Sequence, residues 1–222
     1  EIGLDLGLSF GAIADSLIAA GQMGEMIVVM PDGTNRYGGG WYEDSPVIGN
    51  YREYITQDLV GYTEGRYRAL AARDSRAIAG HSMGGFGALS LAMERPELYG
   101  AVAAIAPGWP NDFSLPPTPI DAFVAENPEG LGTPVLLDIT KETAELLPVA
   151  ALVFTTNFST NALYSMAAAF SPDPANPPYY VDLPVGYPDR TVVADVWEKW
   201  VAKDLVHQIG QRGAKVEPLE LE

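Results

Sequence analysis

One short stretch, residues 77–89, constrains the fold of this chain more than any other. It has the pattern of a short apolar strand, a glycine-rich turn and the start of a helix, with Ser82 at the tip of the turn between Gly80 and Gly84. A serine at such a turn has a strained backbone that only small neighbours tolerate, and its hydroxyl stands clear of them. The pattern predicts a nucleophile elbow with Ser82 as the nucleophile; the alternative is a plain glycine turn.

The flanks of this stretch favour the elbow. Residues 85–93 are small and apolar as in a buried helix, and we expect this helix to end at Arg95 because Pro96 follows it. A second apolar run, 101–106, comes next and is closed by a Pro-Gly pair. Strand, elbow, helix and strand is the context that the serine motif requires. The same alternation predicts an α/β fold with a mostly parallel central sheet and flanking helices.

The segments before the elbow extend this alternation. Residues 11–21 predict a short amphipathic helix that ends at Gly21, and the apolar run 26–30 predicts a strand buried on both faces. Residues 50–72 predict a helix with Asn50 as its N-cap.

A long glycine-rich loop, residues 33–49, lies between the predicted strand and this helix. Open α/β sheets place their ligand sites at the carboxyl ends of strands, so Trp41 and Tyr42 are candidates for lining an acyl or aryl pocket. The alternative is that both rings only fix the loop on the core. Residues 38–40 are three glycines without the lysine of a phosphate-binding loop, which indicates a flexible loop, and one that could donate a backbone N–H to a reacting carbonyl.

The character of the chain changes after residue 107. Residues 108–200 hold most of the prolines and show no clean alternation of strands and helices, with helices predicted only at 162–170 and 196–206. We interpret 1–222 as a single domain in which 108–200 is an insertion or cap over the site. The alternative is an irregular but structural continuation of the domain.

Composition excludes several classes of function. The net charge of −16, from 13 basic and 29 acidic residues, argues against nucleic acid or an anionic membrane as a partner because phosphates would be repelled. No apolar run approaches the roughly 20 residues needed to span a bilayer. With two histidines and no cysteine, no metal site and no disulfide is expected, and the cellular compartment stays open.

The motifs together resemble the esterase D family of α/β-hydrolases. The family includes carboxylesterases, feruloyl esterases, S-formylglutathione hydrolase and mycolyl transferases. The resemblance runs from about residue 12 to about residue 207 and is most specific around the elbow. The segments that carry it are 26–33, 41–45, 49–59, 80–89, 164–172 and 177–184.

The resemblance covers the middle of a family member and departs from it at both ends. Members begin with a strand and a His-Gly turn that donates one N–H to the oxyanion, and they end with two strands that carry the catalytic acid and base. Neither end is recognisable here, so the expected activity depends on substitutes within this chain. We therefore also expect that the chain could be an incomplete form.

A serine hydroxyl needs a base within hydrogen-bond reach and donors aimed at the developing oxyanion. The backbone N–H of Met83, the residue after the nucleophile, is the first expected donor. His81 adjoins Ser82 and should point away from it, which leaves His207 as the candidate base, although its segment predicts a helix on which a histidine is usually just solvated. The acid is undetermined among Asp173, Asp182, Asp189, Asp195 and Asp204.

These observations predict a serine carboxylesterase that needs no cofactor. Its substrates would be small esters with short to medium acyl or aryl groups, and transfer of the acyl group to an alcohol other than water is a variant of the same chemistry. The alternative from another class is a catalytically silent α/β-hydrolase-like module. Such a module would have unpaired sheet edges and would associate with a partner chain or with a second copy.

Overall fold

The computed structural model describes residues 10–108, 119–141 and 158–212. The chain divides into two compact units, Glu1–Pro31 and Asp32–Glu222. Among the described residues, no helix is both long enough and apolar enough to cross a bilayer.

The first unit contains helix α1, Phe10–Ala19. Gly21 has a left-handed φ of 68°. The N–H groups of Gly21 and Gln22 donate to the carbonyls of Ile18 (3.0 Å) and Leu17 (2.9 Å), which is the usual way for a glycine to end a helix. The predicted helix over 11–21 and its stop are confirmed.

Residues 26–30 correct the prediction of a strand buried on both faces. They pair with no strand among the described residues, and their side chains are exposed, from 42% at Val29 to 63% at Met30. An apolar run supplies only a tendency to extend, whereas a buried parallel strand also needs neighbours on both of its edges. The pattern alone could not show that the described residues provide no such neighbours.

The predicted strand–helix–strand unit is confirmed in the second unit. Strand β3, Ala77–His81, leads into helix α4, Met83–Glu94, which returns to strand β4, Ala101–Ile105. The two strands are parallel and in register from Ala77 opposite Ala101 to His81 opposite Ile105. Helix α4 packs on both strands and buries Phe86 and Leu91.

A short hairpin and a helix precede this unit. Strands β1, Asp44–Ser45, and β2, Gly49–Asn50, are antiparallel. The helix that follows consists of α2, Tyr51–Glu53, a π-helical stretch, Tyr54–Leu59, and α3, Val60–Arg66.

The prediction that Asn50 caps this helix is wrong for its side chain. The side chain of Asn50 makes no capping hydrogen bond. Instead, Asp44 Oδ1 accepts the N–H groups of Arg52 (2.9 Å) and Glu53 (3.2 Å) from across the hairpin. A residue outside the helix therefore satisfies its free N–H groups, which a local motif cannot indicate.

The second half of the chain supplies most of the hydrophobic core. The helices of its described residues are α5, Pro119–Glu126, α6, Phe158–Phe170, α7, Ala194–Val201, and α8, Leu205–Arg212. Helix α6 is the most deeply buried of them, and its N-terminal N–H groups at Ser159 and Thr160 donate to the Glu126 carboxylate. The core joins these helices to the glycine-rich loop and to α4 through Tyr37, Trp41, Phe86, Leu163, Met166, Phe170 and Trp200.

Of the two helices predicted after residue 107, one is present and one is divided in two. The predicted helix at 162–170 is present and begins earlier, at Phe158. The single helix predicted at 196–206 is wrong, because the chain turns after Val201 and Asp204 caps a new helix by accepting the N–H of His207 (2.9 Å). Residues 109–118 and 142–157 of this region lie outside the described residues, and the cap stays a prediction.

Candidate active site

Ser82 occupies the tight turn between β3 and α4. Its φ of 54° and ψ of −122° form a conformation that costs a residue other than glycine about 1–3 kcal/mol. The Ser82 N–H donates to the Ile105 carbonyl (3.0 Å), and the Ser82 carbonyl accepts the N–H groups of Phe86 (3.0 Å) and Gly108 (2.6 Å). Hydrogen bonds on both sides of the residue thus hold the strained backbone that an elbow requires.

Two glycines make this turn sterically possible. A Cβ atom on Gly80 would lie against the Gly84 carbonyl and 2.8 Å from the Gly85 nitrogen, and one on Gly85 would lie 2.8 Å from the Pro107 Cα. A Cβ on Gly84 would meet only the Tyr42 hydroxyl, at an ordinary 3.8 Å. The close approach of helix and strand therefore needs Gly85, outside the serine motif, more than it needs Gly84 within it.

Two polar groups of the turn make no hydrogen bond within the part of the chain that the structure describes. The Ser82 side chain is exposed, and its hydroxyl has no hydrogen-bond partner among the described residues. The Met83 N–H likewise has no acceptor in the described part of the chain. A free hydroxyl beside a free N–H is the arrangement that attack on a carbonyl and binding of its oxygen require.

His207 lies on α8, a helix that contacts α4. Its side chain is exposed, and its ring Nε2 lies 2.7 Å from the Gln211 Nε2, so the amide can donate to the unprotonated ring nitrogen. No hydrogen bond joins the His207 ring to Ser82 or to a carboxylate among the described residues. The role of base stays a prediction for His207. His81 is exposed at the end of β3, and its side chain makes no hydrogen bond among the described residues.

Three of the candidate acids have local structural roles. Asp204 is 3% exposed and caps α8 through the backbone N–H of His207. Asp173 and Asp189 accept the N–H groups of Ala175 (2.9 Å) and Thr191 (3.4 Å), each two residues ahead. These contacts stabilise turns and a helix end, and the identity of the acid stays open.

Trp41 packs in the core. It is 6% exposed, its indole N–H donates to the Ser165 Oγ (3.0 Å), and its ring meets those of Phe86 and Phe170 at centroid distances of 5.4 and 6.0 Å. These contacts fit the alternative that Trp41 fixes the loop on the core. Tyr42 is only half-buried and turns towards α4.

Two of the three glycines, Gly39 and Gly40, are buried, which corrects the expectation of a flexible loop at these positions, whereas Gly38 is exposed. The Gly39 carbonyl accepts a hydrogen bond from the Ser165 Oγ (2.9 Å), and a Cβ on Gly39 would collide with the side chain of Met83. A Cβ on Gly40 would lie 3.0 Å from the side chain of Ile48. The loop therefore lies against the residue that follows Ser82. The N–H groups of Gly39 and Gly40 have no acceptor among the described residues.

A buried carboxylate fixes the other end of this loop. Glu43 is 2% exposed and pairs with Arg52 and with Lys203, whose Nζ lies 2.8 Å from Glu43 Oε2. Arg52 also pairs with Glu94, at the end of α4, over 2.8 Å. Sequence reasoning missed this cluster and the Ser165 contacts, since the partners lie up to 160 residues apart and no spacing rule connects them.

Comparison with known proteins gives consistent results. The family model described as "Putative esterase" matches residues 7–220. Esterase Rv1288 of Mycobacterium tuberculosis is 42% identical over 71 residues, which are 30% of this chain and 15% of that protein. S-formylglutathione hydrolase of Paracoccus denitrificans is 39% identical over 75 residues, 32% of this chain and 26% of that enzyme.

Two further similarities involve proteins named for ferulic acid esters. The endo-1,4-beta-xylanase/feruloyl esterase of Xylanibacter ruminicola is 30% identical over 132 residues, 56% of this chain and 18% of that protein. A solved ferulic acid esterase shares 34% identity over 43% of this chain and 37% of its own, with a TM-score of 0.40. The chain thus spans about a quarter or less of the length of these curated relatives. Since the family model matches nearly the whole chain, the chain belongs to this esterase family.

Proposed function

We propose that the chain hydrolyses carboxylic esters through an acyl-enzyme on Ser82. The observation that carries the proposal is the strained backbone at Ser82, hydrogen-bonded on both sides, whose hydroxyl is exposed and has no partner within the described ranges. Strain of this kind persists only where the surrounding structure maintains it, and it concentrates at functional sites. Membership of the esterase family supports the same chemistry.

The reaction would follow the general course of serine esterases. The Ser82 Oγ attacks the ester carbonyl carbon while a base takes its proton, and the alcohol leaves with that proton as the carbon–oxygen bond breaks. Water then attacks the acyl-serine, which releases the carboxylic acid and restores the hydroxyl. If an alcohol replaces water in the second step, the outcome is acyl transfer, and neither step needs a cofactor.

Two kinds of donor are available for the oxyanion. The Met83 N–H follows the nucleophile, and the Gly39 and Gly40 N–H groups belong to the loop packed against the Met83 side chain. We propose that one of these two glycines supplies the second donor. Loss of one donor typically costs about 3 kcal/mol of transition-state stabilisation, so the proposal requires that this loop stay packed.

The substrates proposed are small esters with short or medium acyl groups or with aryl groups. The similarity to a protein named feruloyl esterase supports aryl esters, and the similarity to S-formylglutathione hydrolase supports small acyl groups. The net charge of −16 favours neutral substrates over anionic ones.

The first test is labelling with a fluorophosphonate, which modifies only serines that a base activates. We expect one adduct by intact mass, mapped to Ser82, and none in Ser82→Ala. Ser90→Ala is a matched control, because Ser90 lies on α4, the helix that follows Ser82, and is buried. Loss of labelling in His207→Ala, with folding intact, would assign the base to His207, whereas unchanged labelling would remove it from the mechanism.

A silent module is the second candidate. It is favoured by one observation, that Ser82 has no base partner among the described residues. If the wild-type protein takes no label and hydrolyses no ester although it is folded, the silent module replaces the proposed esterase.

A further inference from the structure

Tyr42 is held in an unusual backbone conformation. Trp41 and Tyr42 have φ values of 51° and 57°, so two consecutive large residues occupy the left-handed region, which is uncommon for residues other than glycine. Such conformations persist where neighbouring contacts over-determine them. The contacts of residues 41–43 therefore fix the directions of these two side chains.

The residues on both sides of Tyr42 are anchored in the protein. The Trp41 indole is buried against Phe86 and bound to Ser165, while the Glu43 carboxylate is buried between two cations. Neither side chain is accessible to a ligand, since both residues are less than 10% exposed. Of residues 41, 42 and 43, Tyr42 alone has a side chain in a partly open position.

The ring of Tyr42 lies against the first turns of α4. A Cβ atom on Gly87 would collide with the ring, so the two are in direct contact across a position that only glycine permits. The Tyr42 hydroxyl extends towards the start of the helix, 3.8 Å from the position that a Cβ on Gly84 would take and 3.6 Å from that of Gly33. The hydroxyl therefore lies beside the helical turn that begins directly after Ser82.

The Tyr42 hydroxyl is unpaired, with no hydrogen-bond partner among the described residues. Burial of the ring raises the pKa of Tyr42 above its ordinary value, so the group remains a protonated donor in neutral solution. The adjacent Tyr51 differs, because its hydroxyl donates to the Thr34 carbonyl (3.1 Å). A half-buried ring with an unused donor at its tip is typical of a group that orients a ligand.

We propose that the Tyr42 hydroxyl donates a hydrogen bond to a second oxygen of the ester substrate, beyond the scissile carbonyl. Tyr42 is then a specificity-determining residue that selects neutral esters with an ether or hydroxyl oxygen near the ester bond. Neutral substrates fit because the nearby cations Arg52 and Lys203 are already paired with Glu43. This inference rests on the proposed esterase activity at Ser82.

The test uses esters that differ by one oxygen. 4-Nitrophenyl methoxyacetate and 4-nitrophenyl butyrate are near-isosteric on the acid side, and 2-methoxyethyl butyrate and butyl butyrate are near-isosteric on the alcohol side. We expect wild type to prefer the ether of at least one pair in kcat/KM, and Tyr42→Phe to reduce that preference about threefold to tenfold. Tyr51→Phe, the matched control, should leave it unchanged.

The outcomes separate this inference from the proposed function. If Tyr42→Phe lowers all four rates equally, or leaves both preferences unchanged, the inference is overturned while the esterase stands. If wild type hydrolyses none of them, the proposed function fails, and binding of methyl methoxyacetate and methyl butyrate to Ser82→Ala by ligand-observed NMR decides the inference separately. If Ser82→Ala binds methyl methoxyacetate more tightly than methyl butyrate and the Ser82→Ala, Tyr42→Phe double variant does not, the inference is supported. If Ser82→Ala shows no such preference, the inference is overturned.

Discussion

Replacing Glu43 by glutamine removes a buried negative charge and keeps the shape of the side chain. The Glu43 carboxylate is 3% exposed and pairs with Arg52 and Lys203, whose side chains are 25% and 32% exposed. Removal of one partner from a fully buried ion pair costs about 3–5 kcal/mol because the remaining charge is left uncompensated. Here both cations keep some access to water, and Arg52 retains Glu94 at 2.8 Å, so we expect a loss of about 2 kcal/mol.

Urea unfolding followed by tryptophan fluorescence measures this change, because Trp41 and Trp200 are both buried in the core. The midpoint should fall with an unchanged slope, and the loss should be similar in low and high salt since a buried pair is weakly screened. Glu97→Gln is the matched control. Glu97 pairs with Arg95 over 2.5 Å, but its side chain is 59% exposed, and exposed pairs contribute little to stability.

The reasoning would be refuted if Glu43→Gln and Glu97→Gln shifted the unfolding midpoint equally. A loss that disappeared in high salt would also contradict it, because that would show a screened surface interaction. A double-mutant cycle that combines Glu43→Gln with Lys203→Met then isolates the coupling free energy between Glu43 and Lys203, which we expect to be stabilising.

Three further changes test other parts of the structure. Gly85→Ala should destabilise the fold by about 1–3 kcal/mol and lower the labelling of Ser82, because its Cβ would lie 2.8 Å from the Pro107 Cα. Gly84→Ala should keep the fold. Equal shifts of the thermal unfolding midpoint in the two variants would contradict this expectation. Asp44→Ala should cost about 1 kcal/mol in urea unfolding through the lost helix cap, and Asn50→Ala clearly less. Burial, with a smaller contribution from Tyr179, raises the pKa of Tyr164 from 10.0 to about 12. The free energy of unfolding should therefore keep its full Tyr164 contribution below pH 10 and should decline as the pH rises from about 10 to about 12. Tyr164→Phe should show a weaker decline, and the same decline in both proteins would exclude Tyr164 as its source.

The elements around Ser82 were predictable because their signals are local. Glycines at the turn, small residues after it and an apolar run ending in Pro-Gly all lie within thirty-two residues, from 77 to 108, and the structure has the predicted strand, helix and strand. The helix at 11–21 was predictable for the same reason, as Gly21 is its own stop signal. Local preference and final structure agree at these places.

Long-range contacts were not predictable from a single sequence. Trp41 is fixed by Ser165, 124 residues away, and Glu43 by Lys203, 160 residues away. The same limit explains the error at 26–30, where an apolar run has the composition of a buried strand but no pairing partner in the described part of the chain. Whether an aromatic ring faces the core depends on such contacts: they place Trp41 in the core, and a role of Tyr42 in the site stays a proposal.

The Ser82 carbonyl, which accepts the N–H groups of both Phe86 and Gly108, has a consequence for protein engineering. The turn after β4 has its own left-handed residues, with φ values of 42° at Ala106 and 58° at Gly108, so two strained turns close on one oxygen atom. A transplanted segment that stops at the end of α4 would carry the serine motif without the bond from Gly108. Grafting this site into another parallel sheet therefore requires the whole of 77–108 as one cassette.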